Sequence, residues 1–183
     1  MALLDYVDPE TADEETRALL ADDADTYGRP SLFGRLMARE PDVLDARNEY
    51  YGRLVDGGSL PRRVGELVYL AVSVTNDCEY CIASHRELLV ERVGLPSRDA
   101  DAVARGEFDG FDERERAALS FARQVALDPG GVDEADVDAL RAAGFDDGDV
   151  VRLTAIAGAA LAANAFADAM GIEPSDRPEP FSG

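Results

Sequence analysis

What constrains this chain most is a helical rhythm broken at intervals by glycine and proline. Apolar residues recur three and four apart through most of its length, and no alternating run is long enough for a strand. Gly28-Arg29-Pro30, Asp56-Gly57-Gly58-Ser59 and Pro129-Gly130-Gly131 stop the rhythm, as turn residues do. The pattern predicts an all-α, single-domain chain with helices over 11–25, 31–39, 41–55, 61–75, 78–93, 96–105, 112–128, 133–143 and 147–170. Residues 1–29 read as an N-terminal arm and first helix, 30–172 as one helical domain, and 173–183 as a loosely ordered C-terminal tail. The apolar set after Pro61 (Val64, Leu67, Val68, Leu70, Ala71, Val74) covers more than one helix face, which predicts a central position.

Glu66 to Arg92 carries the chemistry. It holds both cysteines, Cys78 and Cys81, and the single histidine, His85. On a helix their offsets of three and four stack all three side chains on one face. Thr75, Asn76 and Asp77 are cap-type residues, so Cys78 is expected in the first helical turn, where free N–H groups favour a thiolate. Two cysteines so spaced can close and reopen a disulfide, His85 is placed to share a proton with Cys81, and Glu66 to orient His85. The four residues are also competent zinc ligands, but the chain offers no second ligand pair, and an iron–sulfur cluster needs more cysteines. A purely structural disulfide and a plain core role are the remaining readings.

Composition narrows the partners. Acidic residues number 38 against 18 basic ones, all arginine, giving a net charge of −20. Such a coat repels itself unless salt screens it, which resembles proteins that work in molar salt. It offers nucleic acid no basic patch. No apolar run is read as membrane-spanning and no signal peptide is seen, so the expected location is the cytoplasm.

Glu-x11-Cys-x2-Cys-x3-His, filled by Glu66, Cys78, Cys81 and His85, resembles the AhpD-like alkylhydroperoxidase family within the carboxymuconolactone decarboxylase-like superfamily. The flanking LPRRVGELVYLAVSVTNDCEYC and the later DERERAALSFARQVALDPGGVDEADVDALRAAGFDDGDV and NAFADAMGIEP resemble its peroxidase-related branch. The resemblance implies a helical homo-oligomer (dimer, trimer or hexamer) that reduces hydroperoxides with electrons from a thiol or dithiol donor, without haem, flavin or metal. It assigns Glu66 and His85 to a proton relay and Cys78 and Cys81 to a dithiol–disulfide cycle. Tyr80 departs from best-known members, which carry a histidine there. A non-catalytic redox-sensing oligomer and a decarboxylase-like lyase are the other functions considered. Elsewhere, Tyr50 and Tyr51 read as packing or a pocket edge, Asn164 and Asp168 as hydrogen-bonding groups for a buried backbone or a subunit contact, and Arg62 and Arg63 as surface residues.

Overall fold

The computed structural model describes residues 2–176, so the expectation for residues 177–183 lies outside the described part. Among the described residues there are nine α-helices and no strand. They are α1 (Glu14–Tyr27), α2 (Leu32–Met37), α3 (Pro41–Val55), α4 (Arg62–Thr75), α5 (Glu79–Glu91), α6 (Ser97–Ala104), α7 (Glu113–Leu127), α8 (Glu134–Ala142) and α9 (Asp147–Ala169).

Local chemistry sets most boundaries. Asp13 accepts the Thr16 N–H and starts α1 three residues later than expected, because Asp8 O takes the N–H groups of Thr11 and Ala12 in a separate turn. Gly28 closes α1 with φ 81°, a left-handed conformation that glycine adopts without a Cβ penalty. Pro41 opens α3 at the expected place. Asp133 and Asp146 each form a capping box, with Asp136 and Asp149 reaching back to the cap.

The α4–α5 joint differs from expectation. Asn76 closes α4 instead of capping α5, Asp77 takes φ 60°, and Cys78 is itself the N-cap. The link is so short because the Cys78 N–H bonds back to Ser73 O at 3.1 Å.

α4 is the central helix, packed against α5, α7 and α9, and Leu67, Val68, Leu70 and Val72 on it are buried. Complete burial of one such side chain contributes about 1.5–3 kcal/mol. A main core joins α3 to α9, while a smaller cluster gathers Leu32, Phe33, Leu36, Cys78, Tyr80, Cys81, Ala167 and Ile172. The two meet along α5. Contrary to the sequence reading, α9 is long and apolar enough, by length and composition, to cross a membrane. In this fold it packs against α3, α4 and α7, and its buried Asn164 accepts the Ser73 hydroxyl at 3.1 Å.

Candidate active site

Three helices converge on the seam between the two clusters. α4 supplies Glu66 and Tyr69, α3 supplies Arg47 and Tyr51, and the start of α5 supplies Cys78, Cys81 and His85. Glu66 is completely buried. Its Oε1 accepts the Tyr51 hydroxyl at 2.6 Å and lies 3.5 Å from Arg62 Nε; its Oε2 lies 2.9 Å from His85 Nδ1. Isolated burial of a carboxylate costs several kcal/mol, and these three partners offset that cost. Burial, and then the Glu66 charge, hold the Tyr51 hydroxyl well above the usual tyrosine range, so it remains a donor.

Aromatic rings clamp the imidazole. Tyr69 stacks on His85 with centroids 4.3 Å apart and planes 21° from parallel, and the Tyr27 ring meets it nearly edge-on at 6.4 Å. With Glu66 as a carboxylate, His85 donates Nδ1–H to it and leaves Nε2 free to take a proton.

Both cysteines are free thiols and buried. A cavity of about 20 Å³ is lined by Cys81, His85, Arg47, Tyr27, Phe33 and Tyr80 among others, and Cys78 is not in its wall. That is room for roughly one water. A second cavity of about 40 Å³ shares Tyr27, Ser31, Tyr80 and Ser84 with the first and extends outward to Arg29 and Glu87. The neighbouring Cys78 sulfur, then burial, push the Cys81 thiol well above the usual thiol range. A thiol so placed needs a base to react.

The four residues chosen from the sequence are therefore gathered unevenly. Glu66 and His85 are joined, His85 and Cys81 share a cavity, and Cys78 lies behind Cys81. Tyr80 is buried and its hydroxyl accepts the Phe33 N–H at 3.1 Å, while Glu79 is exposed. Tyr50 is exposed and Tyr51 buried. Arg62, expected on the surface, is half-buried against Glu66, because one helical turn stacks the two side chains. Arg63 pairs with Glu115 at 2.5 Å. Arg47, Tyr27 and Tyr69 were not singled out by sequence; the inward spacing of Arg47 and Tyr51, four apart on α3, was the available signal. Among the described residues no three His, Cys, Asp or Glu side chains gather as a metal site.

The model of the carboxymuconolactone decarboxylase family matches residues 41–124, a span holding Glu66, Cys78, Cys81 and His85. An uncharacterized protein from Haemophilus influenzae is 38% identical over 55 residues, covering 30% of this chain and 49% of its own length; the match thus spans about half of that relative. The solved structure of an alkylhydroperoxidase AhpD core, a peroxidase-related protein from Ralstonia eutropha, is 28% identical with a TM-score of 0.86, covering 96% of this chain and 93% of that one. A peroxidase-related protein from Silicibacter is 25% identical with a TM-score of 0.80, covering 93% and 90%. The family model thus matches the segment that carries the candidate site, and over nearly its whole length the chain shares the fold of these peroxidase-related structures.

Proposed function

We propose that this chain is a thiol-dependent peroxidase in which Cys81 attacks and Cys78 resolves. The observation that carries the reading is that Cys81 shares its cavity with a histidine pinned at 2.9 Å to a completely buried carboxylate. His85 Nε2 takes the Cys81 proton, and Glu66 balances the imidazolium charge. The thiolate attacks the terminal oxygen of a hydroperoxide ROOH, the O–O bond breaks, and the leaving oxygen takes the proton from His85 as ROH. Cys81 is left as a sulfenic acid. Cys78 then attacks that sulfur, the S–O bond breaks, and water departs with the Cys78 proton. A thiol or dithiol donor returns two electrons and two protons to the disulfide. The small inner cavity suits the –OOH head, and the outer one suits the start of R. The work is placed in the cytosol, in a homo-oligomer, where α9 offers an exposed stripe of Val151, Thr154, Gly158 and Ala162 to a second copy.

The test is single-turnover reaction of the reduced protein with tert-butyl or cumene hydroperoxide in buffer of molar salt. The expected result is loss of two thiols per hydroperoxide reduced, with His85→Ala slowing the step by about 10²–10⁴-fold. Thiols that persist in excess hydroperoxide would overturn the reading and favour a sensor. An activity that survives Cys78→Ser and Cys81→Ser but is lost in His85→Ala would instead make the site an acid–base lyase.

A further inference from the structure

Arg47 is the permanent cation in the wall of the Cys81 cavity. Its guanidinium carbon lies 4.8 Å from the Tyr51 ring centroid, 5.0 Å from Phe33 and 6.0 Å from Tyr27. Nη2 donates to the Tyr27 hydroxyl at 3.1 Å, and Nη1 donates to Asn48 Oδ1 at 3.1 Å and lies 3.5 Å from Asp23 Oδ1. The Asp23 side chain is completely buried, and its Oδ2 accepts the Ser31 N–H at 2.6 Å. Gly34 makes room for it, since a Cβ there would come within 2.6 Å of Oδ2. Burial pushes the Asp23 carboxyl up in spite of Arg47. Buried ion pairs of this kind are a weak source of stability, so packing alone does not account for the arrangement. Asp23 and Tyr27 belong to α1, outside the span that matches the family.

The titratable and charged groups around Cys81 are Tyr27 from α1, Arg47 from α3, Tyr69 from α4, Cys78, Tyr80 and His85 at α5, and Asp168 from α9. The Cys78 sulfur, burial and Asp168 all work against a Cys81 thiolate, and Arg47 works for it. We propose that Arg47, positioned by Asp23 and Tyr27, holds the negative charge that develops at Cys81, first on the thiolate and then on the leaving oxygen. A buried, pre-oriented cation meets such charge without reorganising at the moment of reaction. The proposal deepens the peroxidase reading and rests on Cys81 as the reacting sulfur.

The test reads the sulfur directly. In a Cys78→Ser background, so that one thiol reports, alkylation by iodoacetamide is followed from about pH 6 to about pH 11 in the full chain. Arg47→Gln raises the midpoint by about one pH unit and slows alkylation roughly tenfold at fixed pH below it. Arg47→Lys, which keeps the charge, restores at least part of the shift. If the Gln variant does not fold, Asp23→Asn with Arg47→Met removes the ion pair as a whole, the change such pairs tolerate best, and shows the same upward shift. An unmoved midpoint in either charge-free variant overturns the proposal. Alkylation needs no hydroperoxide, so a failed peroxidase assay and a failed role for Arg47 are distinguished.

Discussion

Glu66 holds three partners with none of its surface exposed: the Tyr51 hydroxyl, Arg62 and His85. Each does a different thing. Arg62 supplies opposite charge from one turn earlier, Tyr51 donates a hydrogen bond, and His85 Nδ1–H links the carboxylate to the cavity. Tyr51→Phe removes only the hydroxyl, leaving a buried lone pair of Glu66 without its donor. It should lower stability by about 1–3 kcal/mol and slow thiol oxidation by roughly tenfold. Denaturant midpoints and single-turnover thiol counts measure the two effects. A Tyr51→Phe protein with wild-type values in both would show that Arg62 and His85 suffice to hold the carboxylate. Tyr50 and Tyr51 are neighbours of identical chemistry, and only the direction in which α3 turns them separates an exposed ring from a site residue.

Among the elements, the α4–α5 joint decides how the sulfurs meet the relay. Asn76 and Asp77 are all that separates the end of α4 from Cys78, so the chain must reverse within two residues. Asp77 does it with φ 60°, a left-handed conformation that aspartate tolerates better than most side chains. Asp77→Gly should leave stability unchanged or raise it by up to about 1 kcal/mol, since glycine enters that region freely. Asp77→Val should lower it by about 1–3 kcal/mol, because a β-branched side chain is poorly accommodated there. Urea midpoints of the two variants check this. Equal stabilities would mean that the joint relaxes to another conformation, and with it the placement of Cys78.

At the scale of the whole molecule, the buried thiol couples folding to pH. The folded state raises the Cys81 pKa, so folding favours its protonated form. That contribution is complete below the unfolded thiol pKa of about 8.5 and is lost as pH rises beyond it. Tyr27, pushed up from 10.0 to about 12 by burial, acts with the same sign from pH 10.0 upward. Under reducing conditions the wild-type protein should lose up to about 2 kcal/mol more than Cys81→Ser between about pH 7.5 and pH 10. Parallel losses in the two proteins would show that the thiol titrates as it does when unfolded. The same division between local and global runs through the entire chain. The helices were legible because their signals are local: Pro41 at the start of α3, the aspartate caps of α8 and α9, glycine after α1, α5 and α8. Cys78, Cys81 and His85 were legible for the same reason, since a helix fixes the spacing of side chains three and four apart. The cap of α5 was misread because Asn76 and Asp77 suit a helix end as well as a helix start. By itself the sequence determined the helices, the motif and the chemistry its residue types permit. Tertiary structure alone decided that Tyr51 reaches Glu66, that Tyr69 stacks on His85, and that α1 braces Arg47 beside Cys81. Separation along a helix is set by backbone hydrogen bonds, whereas separation between helices is set by packing, which no local period encodes.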